Sequence, residues 1–285
     1  MIKVDGTVID IGSFPDGSML VKYVPKPDQK AGYVTLTWKY ENDREFLTLI
    51  YLVKHLRSHG VKDIYLYMPY IPNARQDRVK SPEDVFTLKY FAELLNSLEL
   101  SRVEVLDPHS SVSEALINNL RIQTPEDYIY QILKEIPVIR YCLNDPNDPL
   151  DFDPTPKEAF SLTMFYPDEG AMKRYSGMVG LPYAFGIKKR DWKTGVIEGL
   201  DVAGAVDKIA GRDILIVDDI CSRGGTFYHS AKKLKELGAK DIYLYISHCE
   251  NTVLEGELLK GDLIKKVYTT DSIFTQSHEK IEVLK

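Results

Sequence analysis

A six-residue segment that occurs twice limits the fold of this chain more than any other feature. The letters Lys-Asp-Ile-Tyr-Leu-Tyr run from Lys62 to Tyr67 and again from Lys240 to Tyr245. Each copy follows a helical pattern of apolar residues and a glycine, Gly60 or Gly238, that ends the predicted helix. Chance in a chain rich in Lys and Tyr is the alternative, but matching flanks favour two copies of one helix-then-strand unit.

Short β-rich runs that end in polar residues alternate with helical stretches along the chain. The predicted strands include Val103 to Leu106, Thr163 to Tyr166, Tyr183 to Ile187 and Ile214 to Val217. This alternation predicts an α/β protein with two mostly parallel sheets, each flanked by helices. Ligands of such sheets bind beyond the carboxyl ends of the strands, so the residues there are the candidates for function.

Length and composition narrow the class of protein. The 285 residues predict about two domains, which we place at 1–140 and 141–285, with Leu143 to Pro156 as an acidic surface insertion near the junction. No apolar run approaches the roughly 20 residues of a membrane span, and the N-terminus lacks a secretory pattern, so we expect a cytoplasmic protein without membrane partners. A net charge of −6 argues against nucleic acid as a partner.

The strongest candidate site follows the predicted strand that ends at Val217. Two adjacent acids, Asp218 and Asp219, precede a glycine-rich turn, Ser222 to Thr226, and then a helix. Backbone N–H groups at such a turn, together with the start of a helix, favour an anion such as a phosphate. Paired carboxylates would repel that phosphate, so they serve hydroxyls or a metal, and the diol of a ribose fits both. An ordinary helix cap at Thr226 is the alternative.

Asp218 and Asp219 with Gly225 and Thr226 resemble the ribose-phosphate fingerprint of type I phosphoribosyltransferases and of phosphoribosyl-diphosphate synthetases, the ribose-phosphate diphosphokinases. Three more segments resemble the synthetases alone and occur in their order. They are Met68 to Arg78, the ATP segment; Leu106 to Ser110, similar to an Asp-Leu-His-Ala segment; and Tyr166 to Gly170, similar to a Pro-Asp-x-Gly turn. The resemblance extends from about Phe14 to Thr270, and therefore covers both halves of the chain.

This resemblance implies a fold and a reaction. The fold is two tandem type I phosphoribosyltransferase-like domains related by pseudo-twofold duplication, with the ATP side in the first and the ribose-phosphate loop in the second. The reaction is Mg²⁺-dependent transfer of the β,γ-diphosphate of ATP to the C1 hydroxyl of ribose 5-phosphate, giving phosphoribosyl diphosphate and AMP. The family also forms homodimers that often assemble into hexamers.

Residue roles follow from the matched motifs. The residues implied in ATP binding are Phe14, Asp16, Arg75, Gln76, Asp77 and His109, and those implied in ribose-phosphate binding are Asp218, Asp219, Ser222, Arg223, Gly224, Gly225 and Thr226. The guanidinium of Arg75 suits phosphate oxygens, and the Gln76 amide suits a base or ribose. His109 and Asp168 are the implied magnesium contacts.

Catalysis is implied at three positions. Asp168 matches the carboxylate of the Pro-Asp-x-Gly turn, while Lys188 and Arg190 match the family's mobile Lys-x-Arg loop. Cations there would neutralise charge on the transferred phosphoryl group and the departing AMP. The alternatives are a turn aspartate and a charged surface turn.

The chain departs from the family pattern mainly at substrate contacts. The family's Asp-Thr-x-Gly-Thr loop reads Ser222-Arg223-Gly224-Gly225-Thr226 here, which exchanges an acid for a neutral residue and adds a cation. Ser18 and Lys80 stand where the family has acids near the nucleobase. The loop change raises a second hypothesis, that the acceptor is ADP-ribose, as in NAD salvage, with Arg223 on its additional phosphate.

Two other classes of function remain open from the sequence. A regulatory subunit without activity would have lost catalytic positions, whereas all of them are present here. A phosphoribosyltransferase would release pyrophosphate in the presence of a nucleobase and would form no AMP. Neither class accounts for the segments around Arg75 and His109.

Overall fold

The computed structural model describes residues 1–136, 161–190 and 197–285, without the side chains of 30, 31, 188–190, 197 and 198. The chain divides into two compact units, Met1–Thr124 and Pro125–Lys285. The boundary expected between 140 and 141 and the insertion from Leu143 to Pro156 lie outside the described residues. We describe each unit separately.

The first unit is an α/β unit built on one twisted sheet. Its strands are β1 (Ile2–Val4), β2 (Thr7–Val8), β3 (Ile11–Ser13), β4 (Met19–Val21), β5 (Tyr33–Trp38), β6 (Asp63–Tyr67), β7 (Arg102–Leu106) and β8 (Leu120–Gln123). Its helices are α1 (Pro27–Ala31), α2 (Arg44–Ser58), α3 (Thr87–Asn96) and α4 (Val112–Leu116). The sheet order is β2-β1-β5-β6-β7-β8, in which β5 to β8 are parallel and β1 is antiparallel to β5.

The core of the first unit lies against one face of this sheet. Side chains from alternate positions of β5, β6 and β7 pack with the apolar faces of α2 and α3 in one cluster. On the opposite face, Tyr65 and Tyr67 of β6 remain half-exposed. In β5 and β6, buried positions alternate with half-buried ones, as expected where helices cover one face of a sheet.

The first unit has a hairpin near its N-terminus, with the Asp16-Gly17 pair in its loop. β3 and β4 pair antiparallel, and the Phe14 amide donates to the Ser18 carbonyl at 2.9 Å across the loop. Gly17 has φ 83°, a left-handed conformation that glycine adopts without steric cost. This geometry accounts for the Asp-Gly pair at the turn.

The second unit has a larger sheet. Its described strands are β9 (Leu162–Tyr166), β10 (Tyr183–Arg190), β11 (Ile197–Gly204), β12 (Asp213–Cys221), β13 (Ile242–Cys249), β14 (Lys266–Thr270) and β15 (Ile281–Leu284). Its described helices are α5 (Glu126–Glu135), α6 (Glu169–Tyr175) and α7 (Gly225–Glu236), with 3₁₀ turns at Val206–Lys208 and Asn251–Glu255. The order is β11-β10-β9-β12-β13-β14-β15, parallel except for β11.

Both faces of this second sheet are buried. On one face, Ile242 and Leu244 of β13 pack with α7. On the other, Tyr243 and Tyr245 pack in a cluster that includes residues of α5 and α6. Continuous burial of this kind is expected of a parallel strand with helices on both sides.

The repeated segment occupies corresponding places in the two units. It forms β6 in the first unit, between β5 and β7, and the start of β13 in the second, between β12 and β14. Each copy follows a helix, α2 or α7, and a glycine with φ 87°. The prediction of a helix, a glycine and a parallel strand in both copies is confirmed.

The helices that precede the two copies begin differently. Glu45, in the first turn of α2, is buried, and its carboxylate accepts from the Trp38 indole at 3.0 Å and from the Glu41 amide at 2.9 Å. Neither helix has a side-chain hydrogen bond at its N-cap, and α7 also has no acidic residue in its first turn. The dipole of α2 therefore meets a carboxylate of the same chain, whereas no carboxylate of the first turn offsets the positive end of α7.

Candidate functional site

The acid pair lies inside the central strand of the second sheet. Although the sequence predicted the strand to end at Val217, β12 continues to Cys221 because Asp218, Ile220 and Cys221 all pair with β13. The Asp219 carboxylate is almost fully buried, with the residue 4% exposed, and Asp218 is half-buried. The Asp219 amide donates to Asp218 Oδ1 at 3.0 Å. Two carboxylates are thus held on rigid backbone at the carboxyl end of a parallel strand.

Three carboxylates of the second unit influence one another electrostatically. Burial raises the pKa of Asp218 well above its ordinary value, and the nearby carboxylates of Asp219 and Asp168 raise it further. The Pro-Asp-x-Gly turn and the acid pair, which are separated in sequence, therefore converge at one edge of the sheet. Such a concentration of acceptors favours hydroxyl donors or a divalent cation.

Asp168 also caps the helix that follows it. Its Oδ1 accepts from the Ala171 amide at 3.1 Å at the start of α6. The turn is held against β10, because a Cβ at Gly186 would lie 2.6 Å from the Pro167 carbonyl oxygen. Asp168 therefore has the structural role of a helix cap, and its roles in catalysis and magnesium binding stay predictions.

Lys188 and Arg190 follow Gly186 on β10. Their backbone pairs antiparallel with β11, with an irregularity between Lys189 and Arg190. The sequence predicted a loop here, whereas the backbone continues as strand because β11 supplies hydrogen-bond partners. The side chains of Lys188 and Arg190 lie outside the described part of the chain, and their catalytic role stays a prediction.

Arg174 is a site residue that the sequence analysis missed. From the last turn of α6, its Nη1 lies 3.6 Å from Asp219 Oδ2, and the Arg174 side chain is 31% exposed. The guanidinium also lies over the ring of Tyr175, 5.6 Å from the centroid. In the sequence, Arg174 is simply a basic residue six positions after Asp168. Such a residue does not by itself indicate an ion-pair partner.

The glycine-rich turn is fixed by a later segment of the chain. Gly224 begins α7 with φ 78°, and a Cβ at this position would lie 2.8 Å from the Leu258 side chain. A Cβ at Gly256 would lie 1.9 Å from the Arg223 carbonyl oxygen. Glycine is therefore required at both positions by close approach. Beyond them, Gly225 and Thr226 are exposed at the start of the helix.

Arg223 and Ser222 are the residues of this turn that differ from the family pattern. Arg223 Nη2 lies 3.2 Å from Glu255 Oε2, and the two side chains are 74% and 60% exposed. An ion pair this exposed contributes about 0–1 kcal/mol to stability, so it leaves the guanidinium available to a ligand. Ser222 is half-buried at the end of β12.

In the first unit, the predicted ATP residues follow β6 and β7. Arg75 and Gln76 are exposed, and the Thr87 hydroxyl donates to Gln76 Oε1 at 2.9 Å. His109 is half-buried beyond β7. Because β6 and β7 are parallel neighbours, the segments beyond their carboxyl ends lie side by side. A bond from Ser110 Oγ to Asp77 Oδ2, of 2.7 Å, joins them.

Phe14 and Asp16 lie on the hairpin loop of the first unit. Phe14 is 49% exposed. Asp16 Oδ1 accepts from the Ser18 amide at 2.9 Å and from the Ser18 hydroxyl at 2.6 Å, and these bonds lower the pKa of Asp16. Asp16 therefore has a structural role in the turn, and its contact with ATP stays a prediction.

Within residues 1–136, 161–190 and 197–285, no group of three or more His, Cys, Asp and Glu side chains forms a metal cage. Mg²⁺ is usually held by one or two carboxylates together with substrate phosphates and water, so this finding is compatible with the predicted contacts at Asp168 and His109. A search of the same residues found no helix long and apolar enough to span a membrane.

Comparison with known proteins shows which proteins this chain resembles. The family model for the N-terminal domain of ribose phosphate pyrophosphokinase matches residues 1–98. A ribose-phosphate pyrophosphokinase of Ureaplasma parvum is 25% identical over 292 residues, covering 100% of this chain and 82% of the relative. That of Saccharolobus solfataricus is 25% identical over 246 residues, covering 85% and 75%. That of Staphylococcus haemolyticus is 29% identical over 241 residues, covering 82% and 67%.

A solved structure agrees on the fold. The phosphoribosylpyrophosphate synthetase from Mycobacterium smegmatis superposes with a TM-score of 0.73 at 19% sequence identity, over 97% of this chain and 85% of that one. The predicted pair of phosphoribosyltransferase-like domains is thereby confirmed. Over most of its length the chain is therefore similar to ribose-phosphate pyrophosphokinases, and it shares the fold of a phosphoribosylpyrophosphate synthetase.

Proposed function

We propose that this protein transfers the β,γ-diphosphate of ATP to the C1 hydroxyl of ribose 5-phosphate, giving phosphoribosyl diphosphate and AMP. The observation that carries the proposal is the convergence of Asp168, Asp218 and Asp219 beside the uncapped start of α7. Carboxylates suit the ribose hydroxyls, and the N–H groups of Gly225 and Thr226 suit the 5-phosphate. The hydroxyls and the 5-phosphate of one ribose 5-phosphate molecule would then both bind to neighbouring residues of the chain.

The reaction is an in-line displacement. The C1 oxygen bonds to the β-phosphorus, the bond from that phosphorus to the oxygen of the α-phosphate breaks, and AMP leaves with the electron pair while the hydroxyl proton passes to water. Asp218 and Asp219 orient the sugar, with Arg174 holding Asp219 in place. Lys188 and Arg190 oppose the charge on the transferred group and on AMP.

The nucleotide is bound through the first unit. Arg75 would contact phosphate oxygens, Gln76 the base or ribose, and Phe14 the base face. Burial raises the pKa of Asp218, and the neighbouring carboxylates of Asp219 and Asp168 raise it further. Asp168 in the second unit and His109 in the first are the residues that, by the resemblance, would contact Mg²⁺, which would supply charge neutralisation for the triphosphate.

The test is AMP formation. Purified protein with Mg²⁺, ATP and ribose 5-phosphate should give AMP and phosphoribosyl diphosphate in equal amounts. Phosphorus NMR measures both products. Asp219→Asn should abolish both products, while Asp207→Asn, an exposed acid paired with Lys208, should change neither. Pyrophosphate without AMP in the presence of a nucleobase would instead indicate a phosphoribosyltransferase, and binding without any product would indicate a regulatory protein.

A second acceptor, ADP-ribose, is favoured by one observation. Arg223 presents a 74% exposed guanidinium on the phosphate turn, where only a weak ion pair engages it. An acceptor with a second phosphate would gain a charge-assisted bond there. Comparing kcat/KM for the two acceptors decides between them. If ADP-ribose is the substrate, Arg223→Ser should reduce its use about tenfold, the effect of losing ~1.4 kcal/mol, and Glu255→Gln should not.

Assembly and location complete the proposal. We infer a homodimer or homohexamer in the cytoplasm, supported by the family relationship. Sedimentation of the purified protein at several concentrations would measure the assembly, and a single monomeric species throughout would contradict it.

A further inference from the structure

Asp77 differs from the other predicted ATP residues in how its carboxylate is used. Arg78 donates to it twice, from Nε to Oδ1 at 2.7 Å and from Nη2 to Oδ2 at 2.8 Å. Ser110 Oγ donates to Oδ2 at 2.7 Å. The Asp77 side chain is only 10% exposed, whereas Arg75 and Gln76 beside it are exposed. The carboxylate therefore faces protein donors rather than solvent.

The chemistry of Asp77 is unfavourable for a nucleotide contact. A carboxylate has no hydrogen to donate to phosphate oxygens, and its negative charge opposes them. Its bonds with Arg78 and Ser110 hold the pKa of Asp77 well below its ordinary value, so the group is ionised at neutral pH. Of the ligand's groups, only hydroxyl or amino donors would be acceptable partners, and protein donors already occupy both oxygens.

The bond to Ser110 connects two segments that the sheet leaves separate. Ser110 is 6% exposed and directly follows His109, and its Oγ also accepts from the Val112 amide at 3.2 Å, at the start of α4. Asp77 directly follows Gln76. The Asp77–Ser110 hydrogen bond therefore fixes the turn that carries His109 relative to the segment that carries Arg75 and Gln76.

We propose that Asp77 is a positioning residue that holds the His109 turn against the Arg75–Gln76 segment, and that it does not contact the nucleotide. This inference rests on the proposed function for the identity of the ligand, ATP. It changes the role of one predicted ATP residue and adds Ser110, which lies in a matched segment but was not among the predicted site residues, to the residues on which ATP binding depends.

The test compares Asp77→Ala, Ser110→Ala and the double variant. Each single variant should raise KM for ATP about tenfold, equivalent to ~1.4 kcal/mol, with kcat and the KM of the acceptor unchanged within about twofold. The double variant should be no worse than Asp77→Ala, because both changes break the same connection. Ser110→Thr, which keeps the hydroxyl, should restore wild-type KM.

A matched control and a direct binding measurement separate the possible outcomes. Asp84→Ala removes a half-exposed carboxylate of the same unit that accepts from the Lys80 and Ser81 amides, both at 2.8 Å, and should leave KM unchanged. Calorimetric titration with a non-hydrolysable ATP analogue should reproduce the order of the KM values even if no diphosphate transfer occurs, so failure of the proposed function remains distinguishable. Wild-type affinity in Ser110→Ala, or effects that multiply to about 100-fold in the double variant, would overturn the proposal.

Discussion

The same six residues form β6 in the first unit and the start of β13 in the second, yet their tyrosines have different surroundings. Ile64 and Leu66 are as buried as Ile242 and Leu244, at 0–1% exposure. Tyr65 and Tyr67 are half-exposed, whereas Tyr243 and Tyr245 are 4% and 0% exposed under the cluster that includes α5. Local sequence therefore determines the strand and its alternation, and the elements that cover each face determine which positions belong to a core.

The two helix starts extend the comparison to function. In the first unit, Glu45 fills the start of α2 and satisfies the Trp38 indole. In the second, Thr226 stands at the matching place, the second residue of α7, and the first turn of that helix has no acidic residue. One copy has a carboxylate with a structural role at its helix start, and the start of the other is where we propose that the phosphate binds.

The largest expected effect is on stability at the repeated tyrosines. Tyr245→Ala should destabilise its unit by about 3–5 kcal/mol, the usual cost of deleting a buried aromatic ring, and it also removes the stacking with Tyr128, whose centroid lies 6.3 Å away. Tyr67→Ala should cost about 1 kcal/mol because its ring is half-exposed. Hydrogen exchange of the β6 and β13 amides, followed by mass spectrometry, measures the loss of stability in each variant. Equal losses would show that the two copies have the same surroundings.

Next in size is the effect of giving the second helix start the carboxylate of the first. Thr226→Glu should raise the acceptor KM about 100-fold, or ~2.7 kcal/mol, because a fixed negative charge occupies the phosphate position and repels the ligand. The melting temperature should not fall, since a carboxylate at a helix start is favourable. Thr226→Gln is the neutral control and should have less than a tenth of this effect on KM. Full activity in Thr226→Glu would place the phosphate elsewhere.

The converse change removes the internal carboxylate of the first unit. Glu45→Ala should destabilise that unit by about 2 kcal/mol, because the buried Trp38 indole N–H and the Glu41 amide lose their acceptor. Urea unfolding followed by tryptophan fluorescence measures the loss. Glu41→Ala, in which the truncated side chain is 54% exposed, is the control and should stay within about 0.5 kcal/mol of wild type. Equal losses of stability in Glu45→Ala and Glu41→Ala would show that the Glu45 carboxylate does not stabilise the unit.

The smallest effect concerns the glycines that end α2 and α7. Gly60→Ala and Gly238→Ala should each cost about 1 kcal/mol, because both have φ 87°, which disfavours a Cβ. Neither added Cβ would approach another atom closer than 3.4 Å, so the two costs should agree. Gly177→Ala, at a position without positive φ or close neighbours, is the control. Thermal unfolding measures the loss of stability in all three variants. A twofold difference between the losses in Gly60→Ala and Gly238→Ala would show that the two helix ends are not equivalent.

Sequence patterns predicted much of the local structure. The helix and strand of each repeat and the glycine stops could be predicted because they depend on residues close in the chain. The end of β12 was predicted too early, at Val217, because its continuation to Cys221 depends on pairing with β13, more than 20 residues later. Tyrosine burial escaped prediction for the same reason, since it depends on distant helices.

The candidate site divides in the same way. Asp168, Asp218 and Asp219 were identified by motif, and their convergence in space agrees with the resemblance. Arg174 and Ser110 were missed because each acts through one distant partner, Asp219 and Asp77, and a single cation or hydroxyl on a helix or turn carries no local signal. Long-range partners are what a single sequence lacks.

The close approach of Gly256 to the Arg223 carbonyl has a consequence for when the glycine-rich turn can fold during synthesis. The glycine-rich turn reaches its final shape only after the chain has been translated past Leu258, since Gly256 and Leu258 bound it. β12 likewise needs β13 on its far side. During translation, Asp218 and Asp219 are therefore synthesised well before the turn beside them reaches its final conformation. That conformation forms only when residues more than 30 positions downstream have left the exit tunnel.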